Sequence, residues 1–253
     1  MKEIQIEDGI FISDLYCAYL SDISTVVISD LHLGFEEEMN LHGLFLPRLQ
    51  LSHVQETVGK ILDRYQPQHL IINGDFKHEF SRNLPQEWDD IIEFIDKFSN
   101  QVDMKFIRGN HDNYLISVLK RRDLELLETF ETERYHIFHG DKDLPLEKFT
   151  ILGHEHPSLV LRDRVGGIFK IPAFVYNKEQ KVLITPAMSF FSSGSDVIEN
   201  LVNDEHFTPS IRHTKPEKYR VYGITEEFGL VDFGYLGDLK DNQRMEIPRI
   251  HRE

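Results

Sequence analysis

Five short apolar runs rich in Val, Ile and Phe each end on Gly, Asp, Asn or His, and this recurrence constrains the fold more than any other feature of the chain. They are TVVISDLHLG (25–34), HLIINGD (69–75), MKFIRGNHD (104–112), YHIFHGD (135–141) and FTILGHEHP (149–157). Such runs, bounded by turn formers, read as buried strands. Between the first two, residues 47–65 space Leu49, Val54, Val58, Ile61 and Leu62 at helical intervals, with Pro47 in the expected first turn. A second amphipathic pattern runs from Trp88 to Phe98 through Ile91, Ile92 and Ile95. The result is β-α-β-α-β alternation. Open α/β sheets bind ligands beyond the carboxyl ends of their strands, so the five polar clusters are expected to meet in one cleft.

After residue 160 the pattern changes. IFKIPAFVY, KVLITPAMSFF and YRVYGITEEFGLVDF look like a second, more antiparallel sheet. The expected architecture is two sheets packed face to face with helices outside. A chain of 253 residues fits one large α/β domain, with the clusters in 25–157 and the second sheet and C-terminal portion in 158–253. The single cysteine, Cys17, excludes an intramolecular disulfide and a thiolate zinc cluster. The amino terminus lacks a basic region followed by an apolar run, and no segment approaches the roughly 18 apolar residues of a membrane span. A cytoplasmic protein without membrane contact is expected. The formal net charge of −15 argues against an overall electrostatic grip on nucleic acid, although bound divalent cations would reverse the sign locally.

In an extended strand, residues i and i+2 face the same side, so His154 and His156 are expected to aim both imidazoles into one space. Asp30 and His32 repeat that spacing. Each cluster also has an ordinary reading: Asn73-Gly74 and Gly109-Asn110 are good hairpin turns, and Asp30 is a good helix cap. Turn chemistry does not account for Asp75, Asn110, His111 and Asp112 beyond those glycines. Imidazole, carboxylate and amide donors without a thiolate suit Mn²⁺, Fe²⁺ or Zn²⁺.

Taken in order, Asp30-x-His32, Gly74-Asp75, Gly109-Asn110-His111-Asp112, the solitary His139 and Gly153-His154-x-His156 resemble the calcineurin-like metallophosphoesterases. SDLHLGFEEE, GDFKHEF, GNHDN, GHEHP and PAMSFFSSGSDV look most like the archaeal SbcD-related phosphoesterases, similar in turn to the bacterial ligase-associated phosphodiesterases. The resemblance implies an α/β fold of four-layer αββα sandwich type with two mixed β-sheets. It implies that Asp30, His32 and His156 hold a first divalent metal, that Asn110, His139 and His154 hold a second, and that Asp75 bridges them, Mn²⁺ being the favoured ion. Two carboxylates against four positive charges leave such a cluster cationic, as a phosphate requires. A water between metals about 3.5–4 Å apart loses a proton near neutral pH and can attack phosphorus in line. His111 is then placed to protonate the leaving oxygen, with Asp112 to orient it. His78 reads either as a partner of a ligand or as a turn cap. Lys77, Arg82 and Arg108 adjoin the motifs and could touch a phosphate. His53, His69, His136 and His206 read as surface or core residues.

The expected substrate is a phosphate ester. A nuclease-like phosphodiesterase on single-stranded DNA or RNA is favoured by the subgroup resemblance and by two basic stretches, RHTKPEKYR (212–220) and RMEIPRIHR (244–252), with Tyr219 as a stacking face. Those stretches read equally as solvated surface. A small phosphodiester or phosphomonoester is favoured by the net charge and by the lack of a long insertion. A metal-bound interaction platform is the third reading, disfavoured by the intact His111-Asp112 pair. No residue pattern identifies a DNA-repair partner, an oligomeric state or a role for 196–215.

Overall fold

The structure is a computed structural model that describes residues 2–162, 167–192, 194–203 and 208–241. The basic stretch 244–252 and His206 lie outside the described residues.

Two sheets face one another. In the first, the strands Thr25–Ile28, His69–Asn73, Asp103–Ile107 and Leu126–Leu127 run parallel, and an antiparallel meander of Glu3–Glu7, Ile10–Ser13 and Cys17–Leu20 continues the sheet from Thr25–Ile28. In the second, Phe149–Leu152 lies parallel to both Tyr135–Ile137 and Val182–Ile184, while Ile168–Asn177, Arg220–Thr225 and Gly229–Tyr235 pair antiparallel. The five motif strands are therefore divided, three in the first sheet and two in the second. The expectation that the second sheet begins after residue 160 is corrected by this division. Short strands buried on both faces carry no periodic signal of which sheet they join.

Residue alternation builds the layers. Val26, Ile28, Leu70, Ile72, Met104 and Phe106 face the helices Gln50–Tyr65 and Pro85–Phe98, meeting Val54, Val58, Ile61, Ile91, Phe94 and Phe98. Val27, Ile71 and Ile107 point the other way, into a core shared with Ile137, Ile151, Phe174 and Leu183 of the second sheet. The far face of that sheet, with Leu152, Val175 and Val221, packs against Leu236 and Leu239 of the helix Leu236–Asp241. Helix, sheet, sheet and helix give four layers. No helix among the described residues is long and apolar enough to cross a membrane.

The first helix starts at Gln50, so Pro47 is outside it, and Leu49 is exposed rather than core. Neither long helix caps itself with a side chain. The caps come from the acidic run after Gly34. Glu36 accepts the backbone N–H groups of Leu49 and Gln50, both at 2.7 Å, and Glu37 accepts those of Gln86 and Glu87 at 2.8 and 3.1 Å. Carboxylates at two helix N-termini satisfy orphan donors and complement the helix dipoles, fixing both helices to the segment that follows His32.

Candidate metal centre

The loops after the five strands converge as anticipated. Backbone hydrogen bonds stitch them together: Asp30 N–H to the Gly74 carbonyl (3.1 Å), His32 N–H to Asp75 (2.9 Å) and Gly153 N–H to His139 (2.8 Å). Across the sheets, the Asn73 amide donates to the Phe138 carbonyl at 3.1 Å, and the hydroxyls of Ser29 and Thr185 lie 2.7 Å apart. The site therefore sits on both sheets at once, held at their common end.

The glycines make room rather than turn hairpins. A Cβ on Gly74 would lie 2.1 Å from the His139 ring, and one on Gly109 would lie 2.1 Å from the Asp75 carboxylate and 2.3 Å from its backbone nitrogen. Of the ten non-glycine residues with positive φ among the described residues, five are Asp30, His32, Asp75, His154 and His156. Asp and His tolerate this conformation better than most residues, at a cost of about 1–3 kcal/mol each. This corrects the reading of His154 and His156 as strand residues sharing a face. The strand ends at Leu152, and the two rings serve different ligand groups.

One group is Asp30, His32, Asp75 and His156, whose ligand atoms all lie within 4.8 Å of one another. A second is Asp75, His139 and His154, with the Asn110 Oδ1 3.1 Å from His139 Nε2, and a third set, His32, His78 and His111, lacks a carboxylate. Asp75 belongs to the first two. The nitrogens His32 Nε2 and His156 Nε2 face each other at 3.2 Å, as do His154 Nδ1 and His139 Nε2. Two donors each about 2.1 Å from one ion at a polyhedral angle stand about 3.0–3.4 Å apart, so these separations suit a shared cation. The donor set fits divalent ions on its chemistry and on this spacing.

The charges are strongly coupled. Burial pushes the Asp75 carboxyl up, but the rings of His139, His32 and His111 together outweigh it and hold it well below the usual carboxylate range. Burial opposes the charged form of His139, yet Asp75 and Asp30 raise its pKa to about 10. Burial is also the largest influence on His32 and, with the neighbouring imidazoles, drives it well below its ordinary value. His156 is raised by Asp30 against its burial, and His154 is lowered by burial and by His139.

Outside the first group stands a chain of partners. His78 Nδ1 is 3.2 Å from His32 Nδ1, and His78 Nε2 is 2.8 Å from a Glu38 carboxylate oxygen. With a proton on each Glu38-facing and His78-facing nitrogen, His32 Nε2 is left with its lone pair toward the ligand group. His156 Nδ1 meets the Ser192 hydroxyl at 3.1 Å. Neither Glu38 nor Ser192 stands at a motif spacing, so sequence reasoning missed both. The only signal was the acidic run itself, whose three carboxylates turn out to face three different partners.

His111 lies beside Asp75, its backbone N–H donating to that carboxylate at 2.9 Å and its Nε2 3.9 Å away. Its Nδ1 meets the His78 carbonyl, leaving Nε2 toward the cleft. Asp112 does not orient this ring. It is fully buried and accepts the backbone N–H groups of Gly109 (2.8 Å), Phe76 (3.0 Å) and Lys77 (3.3 Å), so it ties two motif loops together. Burial and the charge of Asp75 raise its carboxyl to about 6. Lys77 is also corrected: 1% exposed, it pairs with the buried Glu87 at 3.2 Å and faces no substrate. Arg82, largely exposed, leans on the buried Glu79 at 3.6 Å, and the half-buried Arg108 faces the exposed Glu128 at 3.7 Å. Tyr219 offers no stacking face, being 3% exposed, and its neighbours Lys218 and Arg220 pair with Glu179 and Asp232.

A model of the calcineurin-like phosphoesterase family matches residues 23–217. Among solved structures, the crystal structure of the nuclease MPE of Pseudomonas putida is similar in fold, with a TM-score of 0.65 at 19% identity over 88% of this chain and 96% of that one. No curated protein matches the chain.

Proposed function

The chain belongs to the calcineurin-like phosphoesterase family, and on that premise we propose that it is a phosphodiesterase acting on nucleic acid through two divalent metal ions, most readily Mn²⁺. That it is a metal-dependent hydrolase of phosphate esters comes with the family. The finer reading is carried by one observation, the position of Asp75 in both ligand groups. In this reading Asp30, His32 and His156 hold one ion, Asn110, His139 and His154 hold the other, and Asp75 holds both. Bound there, such ions lower the pKa of a coordinated water and neutralise charge on the non-bridging phosphate oxygens.

The chain's own residues do the rest. His111 donates Nδ1–H to the His78 carbonyl and keeps Nε2 toward the cleft, from where the ring in its imidazolium form would give its Nε2 proton to the leaving oxygen and return to the neutral Nδ1–H tautomer. Asp112 fixes the loop that carries Asn110 and His111 by accepting from Gly109, Phe76 and Lys77. Arg108 is weakly held by an exposed carboxylate and is free to meet a flanking phosphate. Nucleic acid as substrate is supported by the fold it shares with a nuclease. One domain over the whole chain completes the proposal, with the cleft drawing on both sheets.

A small phosphate ester is the second reading, favoured by the neutralisation of Lys218 and Arg220 by acids and by the net charge of −15. The test is Mn²⁺-supported hydrolysis of a chromogenic phosphodiester, its monoester counterpart and labelled single-stranded DNA, by wild type and His111→Ala. Diester and DNA cleavage that the substitution depresses, with metal content kept, is the expected result. Activity confined to the monoester would replace the diesterase reading with a phosphatase.

A further inference from the structure

We infer that the aromatic rings bordering the first ligand group form a stacking platform for an unpaired nucleobase next to the cleaved phosphate; this rests on the nucleic-acid phosphodiesterase reading above. The rings touch in an unbroken series. Phe80 meets His111 at 5.9 Å, His111 stacks on His78 at 5.8 Å, and His78 meets Phe35 at 4.7 Å. Phe35 stacks on Phe191 at 5.2 Å and 10°, Phe191 meets Phe190 at 5.1 Å, and Phe190 meets His53 at 5.1 Å. Two links fasten the series to the ligands: His78 to His32, and Ser192, the residue after Phe191, to His156.

The ends of the series are open to water. Phe80 is 58% exposed at one end, and at the other His53 is exposed and Phe190 beside it is 53% exposed, whereas Phe76, Phe94, Phe98 and Phe106 are buried in the helix-facing core. Large rings left open forgo the burial that would stabilise the fold, and here they do so at the mouth of the cleft. The flank's charge also selects its occupant. Glu38 faces it beside His78, Lys77 is buried with Glu87, and Arg48 is tied to Asp90. Apart from Arg82 near Phe80, which leans on Glu79 at 3.6 Å, the wall is made of rings that accept the flat, uncharged part of a nucleotide, while the metal centre would take the phosphate itself. A base in a duplex is already stacked on both faces, so the platform selects an unpaired one. Stacking on aromatic side chains is tolerant of base identity, which gives a preference for strand state over sequence.

The test compares kcat/KM on oligodeoxyadenylate with that on an abasic oligomer of equal length, for the Mn²⁺-loaded wild type, Phe190→Ala, Phe80→Ala and Phe190→Trp. Fluorescence of a 2-aminopurine oligomer with a hydrolysis-resistant phosphorothioate backbone, bound to the same Mn²⁺-loaded proteins, is read in parallel. Phe190→Ala is expected to lose roughly tenfold on the base-bearing oligomer and nothing on the abasic one, with the aminopurine quenching relieved and Trp restoring both. Equal loss on both oligomers, or wild-type values in both alanine variants, would overturn the platform. If wild type hydrolyses a small diester and no oligomer, the nucleic-acid reading fails by itself. The aminopurine signal then decides the platform separately, because quenching that depends on Phe190 sustains it and absence of quenching overturns it.

Discussion

The two ligand groups share Asp75 and differ in almost everything behind it. Around the first, Asp30 and His32 are buried, His78 and Ser192 meet the outer nitrogens of His32 and His156, and Glu38 in turn pairs with His78. Around the second, His139 is buried against the Asn73 carbonyl at 3.3 Å, but Asn110 is exposed; His154 is partly buried, as His156 is in the first group. The first group is thus oriented before an ion arrives, while the second is open on the side of Asn110. On the two-metal reading proposed above, the contrast predicts an asymmetric centre, with a tight position and a more exchangeable one sharing the Asp75 carboxylate.

The largest way to break the comparison is Asp75→Asn, which removes the shared charge. Both ions are expected to be lost and turnover to fall by more than about a thousandfold, since the metals contribute several kcal/mol to the transition state. Elemental analysis beside kinetics checks it, and loss of only one ion would remove Asp75 from the bridging role. Next is His139→Ala, expected to cost the second ion and most activity while the first ion stays at full occupancy. Loss of both from His139→Ala would mean the groups are not separable.

Proton competition sharpens the contrast. In the metal-free protein the raised pKa of His139 means that its charged ring stabilises the fold fully below its unfolded value of 6.5, and that this contribution is lost as pH rises through about 10. A metal must displace that proton from the folded protein, so affinity at the second group should climb with pH up to about 10. At the first group His32 is pushed the other way, although His156 is raised by Asp30 and also has a proton to lose. Calorimetric metal titrations at pH 6.5 and 8.5 should therefore show a larger gain at the second site, and equal gains would contradict the asymmetry. The smallest expected effect is Glu38→Gln, a roughly 10–100-fold loss of affinity at the first site alone. An unchanged first site would remove Glu38 from the chain that orients His32.

The ligand candidates were legible because the fold leaves their signature in composition. Apolar strands must stop, and where they stop on Gly-Asp, Gly-Asn-His-Asp and Gly-His-x-His, the residue types themselves state the chemistry. Sheet assignment was less legible: Tyr135–Ile137 and Phe149–Leu152 read like the earlier strands but join the opposite sheet. The N-terminal meander carried no reading at all. Partnerships were least legible, because they depend on distance. Asp112 adjoins His111 in sequence yet faces three backbone amides, Lys77 adjoins Asp75 two residues on yet is sealed against Glu87, and Glu38 reaches His78 across forty positions of chain. A motif shows which side chains can take part in a reaction, and packing decides which way each one points.

The most direct test of the central claim, that Asp75 joins two ligand groups into one centre, is anomalous diffraction from crystals soaked in Mn²⁺. The account predicts two peaks flanking the Asp75 carboxylate about 3.5–4 Å apart, with the peak beside His139 and His154 weakening first as the soak is diluted. A single peak, or one among His32, His78 and His111, whose nitrogens also lie within 4.8 Å of one another, would contradict it.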